Sequence, residues 1–237
     1  MAFPASWRRR YPSPVTQLLL VRHALTDATG KHLSGRTRGI HLSEAGRAQA
    51  DRLVERMAGI PVKAFYTSPL ERCVETARPP ARAHGLDVRV EPRLIEVDYG
   101  RWTGRSMAQL VRTSLWKQVQ ASPAAVRFPD GESLREVQLR TVQALDEIAE
   151  AHPRAVVAAV AHADVIRLAV AHYAGVHIDL FQRLVVSPTS VSAILLGDRI
   201  PRVVRMNDTG TLEDLVPRGR GKAPSRTHTR KAGTVRG

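Results

Sequence analysis

Two short apolar runs constrain the architecture of this chain more than any other feature. Leu18, Leu19, Leu20 and Val21 stop abruptly at Arg22 and His23, and the apolar residues 155–161 stop at His162. An unbroken apolar run of strand length is the pattern of a strand covered on both faces, as in a sheet layered between helices. Sheets of that kind bind ligands beyond the carboxyl ends of their strands. Each run therefore brings a histidine to the edge where chemistry is done.

Helical and extended patterns alternate around these runs. Ser43 can cap a helix in which Ala50, Leu53, Val54 and Met57 recur at helical spacing. Residues 62–66 read as a second strand, and a helix from about Leu70 puts Leu70, Val74, Ala77 and Ala81 on one face. Residues 87–90 form a short third strand. Ser133 and Glu136 make a capping box for a long helix with Leu134, Val137, Val142, Leu145 and Ile148 turned inward. A helix over about residues 164–174 ends at Gly175, and strands near 191–196 and 203–206 follow. This order predicts an α/β fold of three layers, α/β/α, around a mostly parallel, doubly wound sheet.

At 237 residues the chain holds one sizeable core. Residues 1–16, with three prolines and three arginines, read as an N-terminal extension, 17–215 as the folded domain, and 216–237 as a basic disordered tail. The net charge of +14 raises the question of nucleic acid. Residues 216–237 carry +7 and the first fifteen +3, which leaves an ordinary +4 for the body. Nucleic-acid binding is thus the lesser reading, as a polyanion-binding module acting through the tail. A single cysteine, Cys73, excludes an internal disulfide framework and fits a reducing, cytoplasmic setting. No apolar run is long enough for a membrane span or a secretory leader.

Further polar residues sit where strands end. Arg72 falls in the first turn of a helix, where the helix dipole disfavours a cation, so a merely solvated arginine is a weaker explanation. Glu96 lies in RLIEVDYGRWTG, just before a glycine-bearing loop with Tyr99 and Trp102. Cys73 does not make a cysteine-phosphatase loop, because Arg78 follows after four residues where that loop needs five. His172 and His177 lack the spacing of a metal motif, and no Walker A sequence occurs.

Four segments in this order, LLLVRHA, TSPLERCVETA, LIEVDYGRWTG and VAHADVIR, resemble the motifs of the histidine phosphatase superfamily, also called the phosphoglycerate mutase-like family. The resemblance implies that His23 attacks a phosphoryl group and becomes a phosphohistidine. It also implies that Arg22, Arg72 and His162 hold the equatorial oxygens, and that Glu96 protonates the leaving oxygen. Thr29, Ser34, Gly35, Arg36 and Ala163 become substrate-facing, with Arg36 a further phosphate contact. No cofactor or metal is implied, the partner is a phosphorylated small molecule, and family analogy suggests a homodimer. Ala24 stands where most relatives carry glycine; a positive φ there would cost the alanine about 1 kcal/mol. Mutase relatives carry a longer insertion before the second histidine, whereas only 65 residues separate Glu96 from His162 here. A phosphomonoester hydrolase is therefore expected over a mutase-type phosphotransferase.

Overall fold

The computed structural model describes residues 15–197 and 200–210. Its six strands are β1 (Val15–Arg22), β2 (Val62–Thr67), β3 (Val88–Val90), β4 (Val156–Ala161), β5 (Val191–Gly197) and β6 (Arg202–Asp208). They lie in the order β3-β2-β4-β1-β5-β6. The first four are mutually parallel, while β5 runs antiparallel to β1, and β6 to β5. The three-layer α/β fold is as expected; the antiparallel pair at one edge is the part that local patterns did not indicate.

The first strand begins two residues before the expected domain boundary. Thr16 is buried, and its hydroxyl faces the carbonyls of Ala149 at 3.1 Å and His152 at 2.7 Å. The rest of the expected extension and the whole basic tail lie outside the described residues.

Strand pleating sorts the apolar runs into two cores. Leu19, Val21, Val156, Ala158 and Val160 face one side, where α1 (Glu44–Met57) supplies Leu53 and Met57 and α2 (Glu71–Ala83) supplies Cys73, Ala77 and Ala81. Leu18, Leu20, Val157, Ala159 and Ala161 face the other. Two short helices, α3 (Met107–Leu110) and α4 (Ser114–Ala121), follow the Glu96 segment. The long helix α5 (Leu134–Ala151), with both arms of the Ser133–Glu136 capping box formed, and α6 (Ala163–Tyr173) complete that second layer. No helix among the described residues is long and apolar enough to cross a membrane.

Central strands β1 and β4 are neighbours in register, with Arg22 opposite Ala161. The chain leaves β1 through α1 on one face and β4 through α6 on the other. A crevice opens at such a switch point, and the next residue of each strand lies in it. Those residues are His23 and His162. Gly46 allows α1 to press on the loop after His23, because a Cβ there would sit 1.9 Å from the Leu25 carbonyl oxygen.

Candidate active site

Both histidines are buried, their ring centroids 5.3 Å apart and their planes steeply inclined. His23 Nδ1 lies 2.8 Å from the Ala24 carbonyl, which can only accept, so the proton sits on Nδ1 and Nε2 carries the lone pair. Burial first, and then the charges of Arg72 and Arg22, push the His23 pKa down to about 3, against the pull of the Ala24 carbonyl. The imidazole is neutral over the physiological range. His162 is held well below its ordinary value by burial, then by Arg72 and His23. Its Nε2 meets the Ser68 hydroxyl at 2.8 Å, and its Nδ1 faces Arg72 at 3.4 Å and Glu96 at 3.8 Å.

Arg72 is 2% exposed despite its place in the first turn of α2. Its Nη2 donates to the Gly35 carbonyl at 2.8 Å. Gly35 has φ +49°, and a Cβ there would fall 2.9 Å from Thr103 Oγ1, so the position demands glycine. Gly35 therefore acts by holding Arg72. Arg22 is anchored from a different quarter, its Nη1 donating to the Val186 carbonyl at 2.7 Å. The loop behind it is strained at Thr189, with φ 55°, whose N–H donates to the Arg22 carbonyl at 3.0 Å. Arg22 Nε is buried and without a partner among the described residues.

Ala24 is free of the positive φ that glycine would serve. Its N–H donates to Thr76 Oγ1 at 3.0 Å, and that hydroxyl donates to the Arg72 carbonyl at 2.7 Å. The backbone after His23 is thereby tied to the helix that carries Arg72.

Glu96 is 12% exposed at its side chain. Burial first, and the Asp164 carboxylate second, push its pKa up to about 7; the Val97 N–H, 2.9 Å from Oε1, and Arg72 and Arg22 pull the other way. Asp164 is fixed by the Tyr99 hydroxyl at 2.7 Å and Arg167 at 3.0 Å. The backbone of the Glu96 segment is gripped by Arg140, which donates to the carbonyls of Ile95 at 2.9 Å and Glu96 at 3.2 Å. Glu132 holds Arg140 through both carboxylate oxygens, at 2.9 and 3.0 Å, and accepts the Asp98 N–H at 3.0 Å.

Arg36 belongs to this brace. Its Nε donates to the Glu96 carbonyl at 3.0 Å, Nη1 faces Asp98 at 3.5 Å, and Nη2 pairs with Glu132 at 2.8 Å. Every guanidinium nitrogen is engaged. Thr29 makes local bonds: its hydroxyl accepts the Thr26 N–H at 3.0 Å and bonds the Thr26 hydroxyl at 2.9 Å, closing a turn. Ser34 is half-buried beside Gly35, and Ala163 opens α6 next to His162. Cys73 is buried, its thiol pushed up to about 12 mainly by burial, so no thiolate nucleophile is present. Ser68, Thr76, Glu132, Arg140 and Asp164 were not singled out by residue spacing, although Ser68, Thr76 and Asp164 lie within recognised segments.

A lone-pair imidazole, two guanidinium groups, a second imidazole and a carboxyl protonated near neutral pH define a site for phosphoryl transfer, in which positioning and charge neutralisation do most of the work. Comparison with known proteins agrees. The family model of the histidine phosphatase superfamily, branch 1, matches residues 18–209, and the chain belongs to that superfamily. It is 30% identical over 200 residues to phosphoserine phosphatase 1 of Hydrogenobacter thermophilus, an alignment that covers 82% of this chain and 93% of that protein. Among solved structures it resembles Bacillus stearothermophilus YhfR, at 25% identity and TM-score 0.77 over 82% of this chain and 98% of the other. It also resembles a mycobacterial glucosyl-3-phosphoglycerate phosphatase, at 25% identity and TM-score 0.74 over 82% of this chain and all of the other.

Proposed function

We propose that the protein is a cytoplasmic phosphomonoester hydrolase that works through a phosphohistidine on His23. The observation that carries this reading is the pairing of a neutral imidazole, its Nδ1 proton committed to Ala24, with a carboxyl whose pKa is about 7. His23 Nε2 attacks phosphorus in line as the bond to the ester oxygen breaks. Glu96 gives its proton to that oxygen, which would otherwise leave as a poor alkoxide. The resulting carboxylate takes a proton from water, which then attacks the phosphohistidine and releases inorganic phosphate with both side chains restored. Arg22 and Arg72 neutralise the charge on the equatorial oxygens, which His162, uncharged, helps to hold.

Rapid quenching with a phosphorus-labelled substrate tests the reading. An acid-labile, base-stable protein label should appear in the native enzyme and vanish, with turnover, in a folded His23→Ala variant. Undiminished turnover in that variant would sink the assignment.

A further inference from the structure

The Arg22 guanidinium has one hydrogen-bond acceptor among the described residues, the Val186 carbonyl at 2.7 Å. Where that carbonyl sits decides where the charge points. Val186 opens the turn 186–190 that leads into β5, and the same turn grips the Arg22 backbone. The Ser190 carbonyl accepts the Arg22 N–H at 3.2 Å, and the Thr189 N–H donates to the Arg22 carbonyl at 3.0 Å.

This turn is not a shape the local chain favours. Thr189 is buried at φ 55°, a conformation that a β-branched residue adopts only where its surroundings impose it. Its own hydroxyl reaches no further than the Pro188 carbonyl, at 2.8 Å. Two side chains from distant parts of the sequence supply the constraint. Asn207, in β6, accepts the Ser187 N–H on Oδ1 at 2.6 Å. Arg56, in the last turn of α1, donates Nη1 to the Thr189 carbonyl at 2.8 Å, Nη2 to the Asp208 carbonyl at 2.7 Å and Nε to the Gly210 carbonyl at 2.5 Å. Its side chain is 15% exposed, and Nη2 also meets the Asp208 carboxylate at 3.2 Å. Thr189 is thus held on both sides of its strained φ, its N–H by Arg22 and its carbonyl by Arg56.

We propose that Arg56 is a positioning residue for phosphate recognition: by fixing the Thr189 turn it places the Val186 carbonyl, and through that carbonyl it orients the Arg22 guanidinium. The inference rests on the hydrolase reading for the role of Arg22 as a phosphate contact. Arg56 acts at one remove, since its hydrogen bonds go to residues 189, 208 and 210 and to none of the groups proposed to meet the phosphoryl group.

A double-substitution cycle tests this, read by calorimetric titration with inorganic phosphate so that no turnover is needed. Arg56→Ala should weaken phosphate binding roughly 5–10-fold, and Arg22→Ala at least as much. The double variant should bind as weakly as Arg22→Ala alone, because no guanidinium is left to orient. Asp208 keeps Arg205 at 2.6 Å when Arg56 is removed, so no buried carboxylate is stranded. If the alanine variant fails to fold, Arg56→Lys takes its place in the cycle with the same expectation, since it keeps a cation near Asp208 but cannot span the three carbonyls. Native-like affinity in the Arg56 variant, or losses that multiply in the double variant, would overturn the positioning role and leave Arg22 as a phosphate contact. Native-like affinity in Arg22→Ala would instead refute the phosphate clamp of the hydrolase reading, and the role of Arg56 with it.

Discussion

Glu96→Gln is expected to stabilise the fold above neutral pH while disabling catalysis. In the folded chain the carboxyl titrates at about 7, against an ordinary value of 4.5. Folding therefore takes up a proton between those values. The stability linked to it is complete below about pH 4.5 and is lost as pH rises through about 7. That gap corresponds to roughly 3 kcal/mol at full ionisation, of which roughly 2.5 kcal/mol is lost between pH 5 and pH 8. At 12% side-chain exposure, solvent screens little of it. Glutamine keeps an oxygen for the Val97 N–H and has no charge to desolvate. Urea unfolding of both proteins at pH 5, 6, 7 and 8 should show the variant gaining on the wild type with rising pH, by about 2 kcal/mol or more at pH 8. Turnover of alkyl phosphomonoesters should fall by roughly 10²–10⁴, and of p-nitrophenyl phosphate far less, because a nitrophenolate leaves without a proton. A stability difference independent of pH would refute the reasoning, since Glu96 would then titrate as an ordinary surface carboxylate.

Three further substitutions separate roles that look alike in sequence. Arg36→Ala should lower kcat roughly 10–100-fold by loosening the Glu96 segment, yet leave competitive inhibition by inorganic phosphate unchanged; a loss of phosphate affinity like that of Arg72→Ala would show direct contact instead. Ser68→Ala strands a buried ring nitrogen of His162 and should cost about 1–3 kcal/mol in denaturant unfolding, with kcat/KM falling roughly tenfold; unchanged kinetics would show that Ser68 does not orient that ring. Ala24→Gly should destabilise by about 0.5–1 kcal/mol, because the φ is ordinary and the methyl group is buried; a raised melting temperature would mean that the alanine backbone is strained.

The paired histidines were legible because burial on both faces leaves an unmistakable run, and a run that ends in His announces what its edge presents. The long α5 was legible for the same local reason, a capping box followed by an inward stripe. Other features depend on partners far away in the chain. A strand reads alike in either direction, so the antiparallel course of β5 and β6 was invisible to local pattern. Arg36 reads as a loop residue near the site, and its pairing with Glu132 and Asp98 depends on partners that no local pattern indicates. The helices over 107–121 are too short to build a periodic stripe, although Ser106 and Gln109 already spell a capping box for the first of them.

The physical cause of reactivity also shifts once the structure is known. Neighbouring arginines favour a neutral His23 by charge repulsion, but desolvation is the larger influence, with Arg72 second. The same desolvation drives Glu96 in the opposite direction, because burial penalises the charged form of each group: imidazolium in one, carboxylate in the other. A single dry crevice thus leaves the nucleophile unprotonated for attack and the acid protonated enough to give. Arginines alone could not do both, since positive charge pulls the two pKa values down together. What Arg22 and Arg72 add is an opposing pull on Glu96 that burial and Asp164 overcome, which leaves the carboxyl near neutrality where it can give a proton in one half of the cycle and take one in the other. Removing the Asp164 charge should therefore shift the basic limb of the kcat/KM profile to lower pH, and an unmoved limb in Asp164→Asn would show that burial alone sets it.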